Sequence, residues 1–209
     1  MEKLPEELQE IVDYLQQNEV AISEKTNDGR INSAINEQEI IDSIQNKFNI
    51  IIPNIRQWYD IAIELGNTFY PINIKVTESS SADNLNCKLG IYYALTGIIP
   101  NFNNGVDWGK FLTMLESNFG INQDKDYYFL IVNKKNHKDV FATSLKALPN
   151  IVPNGNNLPF QCRWDSNRIR IDRTFDEAAK FIMTKFAESI KLRADMYFIF
   201  NKLFPEYAL

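Results

Sequence analysis

The fold is decided by a stretch that predicts a β-hairpin, residues 60–76, DIAIELGNTFYPINIKV. Gly66 and Asn67 suit a two-residue turn, because both residue types adopt the backbone conformations that tight hairpin turns require. Apolar, β-branched and aromatic residues lie on each side of the turn, as is typical of strands. With this turn Leu65 pairs with Thr68, and the register of the hairpin follows by counting outward.

This register brings three polar side chains together on one face of the hairpin. Counting outward places Asp60 opposite Asn73, and directly opposed residues hold their Cβ atoms about 4.5–5.5 Å apart. Lys75 shares the face of Asn73, because side chains alternate along a strand. The other face of the second strand is apolar and is expected to meet a core through Tyr70, Ile72, Ile74 and Val76.

The three polar residues are chemically suited to phosphodiester hydrolysis with a divalent cation. Mg²⁺ prefers oxygen ligands, which the Asp60 carboxylate and the Asn73 amide supply. Lys75 can hold an attacking water or stabilise charge on the scissile phosphate. Spacing alone leaves a second interpretation open, in which Asp60 caps a strand, Asn73 is an edge-strand polar residue and Lys75 is a solvated charge.

The remainder of the chain predicts a single α/β (α+β) domain over residues 1–209, with a central mixed sheet flanked by helices. Its expected parts are an N-terminal helical segment (1–35), a central core (36–145) and a C-terminal loop and helix (146–209). Helices are predicted for Pro5–Gln17, for the segment after Asn36 up to Phe48, for Leu89–Leu95, from Phe111, and after the capping box formed by Thr174 and Glu177. Further strands are predicted for 127–132, 140–145 and 161–171, and turns or loops for Asn27–Arg30, Asn133–Lys138 and Pro149–Pro159.

Composition excludes several classes of protein. Hydrophobic residues make up 44% of the chain, which argues against global disorder, and no apolar run approaches the roughly 18 residues of a membrane span. Cys87 and Cys162 are too few for a zinc cluster or a disulfide framework, so a reducing cytoplasm is expected. The net charge of −5 disfavours a protein that coats DNA nonspecifically but is compatible with a carboxylate metal site. His137 lies in a polar segment and is expected to be solvated.

Five stretches resemble EcoRV-like type II restriction endonucleases of the PD-(D/E)XK superfamily in order and spacing: 29–31, 37–48, 59–63, 71–77 and 88–92. The resemblance is strongest over residues 1–100, is weaker through the middle of the chain and is present again at the C-terminal helix. This helix also resembles that of HincII-like enzymes. It implies a restriction-endonuclease-like fold, Mg²⁺ as cofactor, Asp60 as the metal-binding aspartate and Lys75 as the catalytic lysine.

Asn73 departs from the family pattern, which has a carboxylate at this position. An amide removes one negative charge and should weaken metal binding. Either another acid compensates, or the site is impaired and the protein only binds DNA. The family often places a glutamate on the helix before the hairpin, and the acids near enough to compensate are Glu37, Glu39, Glu78 and Asp83. Glu39 is also expected to form a capping box with Asn36, and the last two to be solvated loop acids.

The resemblance also implies which segments approach double-stranded DNA. A loop before the metal aspartate meets the minor groove, and a serine-rich segment follows the catalytic strand and can donate to phosphates. A later loop reads bases in the major groove, where asparagine pairs with adenine and glycine permits close approach. An ordinary surface turn or connector is the alternative in each case. The candidate DNA-binding residues are Asn54, Arg56, Gln57, Thr77, Ser79, Asn154, Gly155, Asn156, Asn157, Arg168 and Arg170, the last two on one face of a predicted strand.

The expected function is sequence-specific, Mg²⁺-dependent cleavage of double-stranded DNA by a homodimer in restriction of foreign DNA. Two-fold symmetry would match a palindromic site, and the apolar stripe of the N-terminal helix is a candidate dimer surface, with packing on its own core as the alternative. The family also implies a cognate DNA methyltransferase. The rival functions are a repair or junction nuclease of the same fold, and a DNA-binding module whose catalysis is impaired by Asn73.

Overall fold

A computed structural model describes residues 4–18, 20–23, 29–54, 57–85, 87–103 and 105–207, the side chains of 29–31 excepted. Its helices are α1 (Glu6–Gln17), α2 (Gly29–Ile44), α3 (Lys88–Thr96), α4 (Trp108–Asn118) and α5 (Phe175–Leu203). Its strands are β1 (Ile50–Ile51), β2 (Ile61–Leu65), β3 (Thr68–Thr77), β4 (Ala82–Leu85), β5 (Tyr128–Asn133), β6 (Asn136–Ser144), β7 (Val152–Pro153) and β8 (Phe160–Arg163). Short 3₁₀ turns occupy Leu145–Ala147, Trp164–Asn167 and Pro205–Tyr207.

The strands within these described ranges form two sheets. The larger has the order β1-β2-β3-β5-β6 and is mixed, because β3 and β5 run parallel while its other neighbours are antiparallel. A parallel pair needs a long crossover, which here contains β4, α3 and α4. The smaller sheet is antiparallel, with the order β4-β8-β7. The prediction of a mixed α/β architecture with a central sheet flanked by helices is confirmed.

The β2–β3 hairpin has the predicted register. Leu65 pairs with Thr68, and Gly66 takes a φ of 59°, the left-handed conformation that glycine tolerates in a tight turn. The ladder ends at the pair Ile61–Ile72, one step before Asp60, whose backbone N–H donates to the carbonyl of Ile72. The hairpin therefore stops where the first polar residue of the proposed trio begins.

A separate core covers each face of the larger sheet. One core joins α1 and α2 to the apolar face of β3, and contains Ile72, Ile74 and Val76 as predicted. The other joins α3, α4 and α5 to the opposite face and includes Phe129 and Ile131 of β5. Because strand side chains alternate, Asn73 and Lys75 lie on the side of the second core.

The apolar stripe of α1 packs inside its own chain. Leu8, Ile11, Val12 and Leu15 are all buried in the first core, and the side chain of Gln16 donates to the Val140 carbonyl of β6 at 2.7 Å. A buried stripe offers nothing to a second copy, so the proposal of a dimer surface at these four side chains is wrong. The alternative, packing on its own core, is confirmed.

Helix α2 begins earlier than the sequence predicted. It starts at Gly29, so Gly29 and Arg30 belong to a helix rather than a turn, and residues 27 and 28 lie outside the described residues. Asn36 is a buried residue in the middle of this helix and cannot act as its N-cap. The predicted capping box of Asn36 and Glu39 is therefore wrong, because that box needs a helix start.

The C-terminal third contains two further corrections and one confirmation. The segment 161–171 is a strand only to Arg163, after which a 3₁₀ turn follows. His137 lies in strand β6, half-buried, with Nε2 3.0 Å from the Lys134 carbonyl. Helix α5 begins with the predicted capping box of Thr174 and Glu177. Among the described helices, none combines the length and apolar character needed to cross a membrane.

Candidate active site

An open cleft of about 720 Å³ lies where α2, the start of β2, strand β3 and the smaller sheet meet. It contains both residues that carry the predicted chemistry, Asp60 and Lys75. Residues from four parts of the chain form its walls: Ser33, Ala34, Glu37, Gln38 and Ile41 of α2, Ile52, Pro53, Gln57 and Tyr59 before β2, Asp83 and Asn84 of β4, and Asn157.

Asp60 is fixed by the strand it faces. Its Oδ2 accepts a hydrogen bond of 2.7 Å from the backbone N–H of Ile74, at the point where the β2–β3 ladder has ended. The carboxylate of Asp60 thus accepts a backbone N–H of β3 that β2 no longer pairs. Ile74 lies between Asn73 and Lys75, so the acid is held beside the predicted N-x-K segment.

Asn73 is directed toward the core beneath the cleft and is not among the residues that line it. Its side chain hydrogen-bonds the hydroxyl of Tyr127, which donates to the Trp58 carbonyl at 2.7 Å. Burial raises the pKa of Tyr127 well above its usual value, the charges of Cys87 and Asp60 add to this, and the hydrogen bond from Asn73 opposes it. Tyr127 therefore stays neutral, and because its proton goes to Trp58, Asn73 donates to it through the amide N–H.

Lys75 reaches the cleft from the face of β3 that also meets two buried thiols. Burial raises the pKa of Cys87 to about 12 and that of Cys162 higher still, and the positive charge of Lys75 lowers both. Both thiols therefore remain protonated at neutral pH, and neither supplies a thiolate nucleophile. The chemistry of the cleft belongs to its carboxylates and to Lys75.

Asp83 and Asn84 enter the cleft from β4 of the smaller sheet. Oδ2 of Asp83 accepts a 2.9 Å hydrogen bond from Nε1 of the buried Trp164. Oδ1 of Asn84 accepts from Gln161 at 3.0 Å and from Asn154 at 3.3 Å. The sequence named Asp83 as an acid that could compensate for Asn73 but favoured a solvated loop acid, because its partner Trp164 is 81 residues away.

The two glutamates proposed on α2 have different surroundings. Glu37 lines the cleft, and its Oε1 accepts a hydrogen bond of 3.0 Å from Ser33 one turn earlier. Glu39 binds the backbone and hydroxyl of Ser23 and is not among the lining residues. The cleft thus contains Glu37 but not Glu39, and a metal-binding role for either one stays a prediction.

The loop before β2 contributes Gln57, which is exposed at the cleft. Asn54 is exposed nearby in sequence but is not among the lining residues. Arg56 lies outside the described residues. Contact of this loop with the minor groove stays a prediction.

The two candidates after the catalytic strand are integrated into the fold. Thr77 pairs with Asn133, and its carbonyl accepts from the N–H of Lys134 at 3.1 Å. Ser79 is 7% exposed, its carbonyl accepts from Asp165, and its hydroxyl has no hydrogen-bond partner within the described residues. Neither lines the cleft.

The asparagine-rich turn after β7 lies at the edge of the cleft through Asn157. Oδ1 of Asn154 accepts from the N–H groups of Asn156 at 3.0 Å and Asn157 at 3.2 Å, which closes the turn. Arg193 of α5 donates to the carbonyls of Gly155 and Asn156, both at 2.8 Å. A Cβ at Gly155 would meet the α5 backbone at 2.9 Å, so this close approach requires glycine.

Arg168 and Arg170 do not share a strand face, because strand β8 ends at Arg163. Arg168 forms a bidentate ion pair with Asp139, at 2.7 and 2.6 Å, and stacks on the ring of Phe141. Arg170 lies 3.5 Å from the hydroxyl of Ser144. The prediction that the two arginines form a phosphate-binding wall on one strand is wrong. A DNA contact by either arginine stays a prediction.

The side chains that line the cleft include the kinds of ligand atom that a hard divalent cation binds. Carboxylates of Asp60, Asp83 and Glu37 line the cleft and offer the oxygen ligands that Mg²⁺ prefers, whereas the amide oxygen of Asn84 already accepts two hydrogen bonds. Among residues that the structure describes, no three His, Cys, Asp or Glu side chains already stand together as a metal-binding group. No protein-family model matches the sequence, and no curated protein matches it.

Proposed function

We propose that this chain is a Mg²⁺-dependent endonuclease that cuts double-stranded DNA at a specific sequence, with a restriction-endonuclease-like fold. The observation that carries the proposal is that Asp60 and Lys75 line one cleft, and that Asp60 is hydrogen-bonded to the residue next to Lys75. An acid and an ammonium group in one open cleft suit hydrolysis of a phosphodiester.

Each of the site residues has a distinct task in this reaction. Asp60 holds the cation, and its bond to the Ile74 N–H fixes its orientation relative to β3. Lys75 orients the attacking water or stabilises the growing charge on the phosphate. A bound Mg²⁺ supplies positive charge that favours attack of water on phosphorus. Gln57 and Asn157 at the rim are suited to contact the nucleic acid.

Digestion of mixed plasmid DNA with and without Mg²⁺, beside a Lys75→Ala control, tests this function. Discrete fragments that need both Mg²⁺ and Lys75 support a site-specific endonuclease. Structure-selective nicking supports a repair or junction nuclease instead. Absence of any Mg²⁺-dependent cleavage contradicts both.

A second candidate function is a DNA-binding module without catalysis. It is favoured by one observation, namely that Asn73 has no charge and is engaged by Tyr127. DNA binding that persists in Mg²⁺ or Mn²⁺ without cleavage would select this function over the first.

The proposed enzyme acts as a homodimer, and the end of α5 offers the surface for a second copy. A large exposed apolar patch often marks an interaction surface. The second half of α5 and the residues after it expose ten large apolar side chains among those described, by 38 to 68%: Ile190, Leu192, Met196, Tyr197, Phe198, Ile199, Phe200, Leu203, Phe204 and Tyr207.

The exposed area is sufficient for a stable dimer. At about 200 Å² for a large side chain, these fractions amount to on the order of 1,000 Å² per copy. A standard interface buries roughly 800 Å² from each partner. A second copy of this chain is the proposed occupant, because a self-complementary two-fold contact also matches a palindromic substrate. A cytoplasmic location remains an expectation from the cysteine content, and a cognate methyltransferase remains one from the family resemblance.

A further inference from the structure

We propose that Asp83 is the second metal-binding carboxylate of the cleft and takes over the role for which Asn73 lacks a charge. This inference rests on the proposed function, since it names a residue of the same site. It concerns a strand of the smaller sheet rather than the hairpin that carries Asp60 and Lys75.

The carboxylate of Asp83 is held in a defined orientation. Asp83 pairs with Cys162 across the β4–β8 ladder, and the fully buried Trp164 donates to its Oδ2. Oδ1 makes no hydrogen bond within the described residues. A carboxylate oxygen that has no hydrogen-bond partner among the described residues and lies in an open cleft is available to a cation.

Asp83 lies close to the residues with which it must cooperate. It lines the same cleft as Asp60 and Lys75. The charges of Asp83 and Lys75 both act on the buried thiol of Cys162, the first raising its pKa and the second lowering it. Both side chains therefore lie within electrostatic reach of one buried atom.

Asn73 cannot supply a second negative charge. Its side chain is a neutral amide whose N–H group donates to the hydroxyl of Tyr127, which in turn donates to the Trp58 carbonyl. Asp60 alone offers a divalent cation one negative charge. Asp83 adds a second from β4, and Glu37 of α2 is the other carboxylate that lines the cleft.

Calorimetric titration with Mn²⁺ tests the assignment independently of cleavage. Asp83→Asn keeps the shape of the side chain and an acceptor for Trp164, so the fold should persist, as thermal unfolding would verify. We expect this variant to bind Mn²⁺ at least tenfold more weakly than the wild type. Asp165→Asn is the matched control, because it removes the same charge from a surface ion pair with Arg163, and should alter affinity less than twofold.

A double variant makes the test specific. Asn73→Asp in the Asp83→Asn background should recover Mn²⁺ affinity, because it restores the second charge at the family position. Asn73→Asp alone should gain little. If the double variant folds but does not recover Mn²⁺ affinity, Asp83 does not replace the charge that Asn73 lacks.

The outcomes separate the two proposals. Wild-type affinity in Asp83→Asn, with binding lost in Asp60→Asn, overturns the assignment of Asp83 and leaves the nuclease function standing. A loss in Glu37→Gln but not in Asp83→Asn assigns the role to the glutamate of α2 that lines the same cleft, and also overturns it. A wild type that neither binds Mn²⁺ nor cuts DNA overturns the proposed function, and the assignment with it.

Discussion

Oδ2 of Asp60 accepts a hydrogen bond of 2.7 Å from the backbone N–H of Ile74, so the acid that precedes β2 is attached to the strand that carries Lys75. The bond forms because the hairpin ladder ends at Ile61, which leaves this N–H for a side chain. The structure of the hairpin end therefore depends on the same carboxylate that is proposed to bind the metal.

Two substitutions at Asp60 should separate these two tasks. Asp60→Ala leaves the Ile74 N–H without an acceptor in a buried position, which should lower the free energy of unfolding by about 1–3 kcal/mol. Asp60→Asn keeps an acceptor and should stay within about 1 kcal/mol of the wild type, while both variants lose cleavage. Urea unfolding of the two proteins checks the prediction. Equal stability of both variants would mean that the hydrogen bond contributes nothing.

Lys75 should affect the reaction rate much more than DNA affinity. Lys75→Met removes the charge but keeps most of the apolar stem, so we expect cleavage in Mg²⁺ to fall by about 10²–10⁴-fold. Lys75→Arg should not restore it, because a planar guanidinium does not replace a compact ammonium. Plasmid nicking rates and DNA affinity, measured side by side, check this. Cleavage by Lys75→Met at the wild-type rate would remove Lys75 from the mechanism.

The ion pair between Asp139 and Arg168 should stabilise the fold in a pH-dependent way. The hydrogen bonds from Arg168 hold the pKa of Asp139 below its usual range. A depressed pKa gives stability that is present above the unfolded pKa of about 3.9 and lost as pH falls through the lower folded value.

Asp139→Asn should therefore cost about 1 kcal/mol at pH 7, since the bidentate pair is partly exposed. The difference from the wild type should shrink towards zero near pH 2. Denaturant unfolding at the two pH values measures both quantities. A difference that does not change with pH would show that the charge of Asp139 is not its source.

The end of α5 should govern self-association. Phe198 and Ile199, 65% and 57% exposed, belong to the proposed two-fold contact. Replacing both with glutamate places like charges opposite each other, so we expect a shift from dimer to monomer in sedimentation velocity. Ile169→Glu is the control, because this isoleucine is 82% exposed elsewhere and should leave the dimer intact. A wild type that is monomeric at high concentration would contradict the proposed interface.

Local signals made the hairpin predictable from the sequence. Gly66 and Asn67 define the turn, and the alternation that follows fixes which face Lys75 occupies. The stripe of α1 was predictable as a helix for the same reason. What the stripe packs against is not encoded locally, and the proposal of a dimer surface was wrong because β6 covers it.

Long-range contacts account for the rest of the differences. Asp83 resembles a solvated loop acid until Trp164, far along the chain, donates to it. Residues 164–171 continue the weak alternation of a strand, but Arg168 is bound to Asp139 instead. The start of α2 was missed because Gly29 and the buried Asn36 are both unusual inside a helix.

The turn at 154–157 is held by groups other than the side chains of Asn156 and Asn157. The side chain of Asn154 accepts their backbone N–H groups, and Arg193 binds the carbonyls of Gly155 and Asn156. The shape of the turn thus does not use the side chains at positions 156 and 157, and it requires only that neither residue is proline, which has no N–H to donate. Evolution can exchange these two exposed side chains without refolding the loop, which would let an enzyme of this architecture acquire a new target sequence through few substitutions.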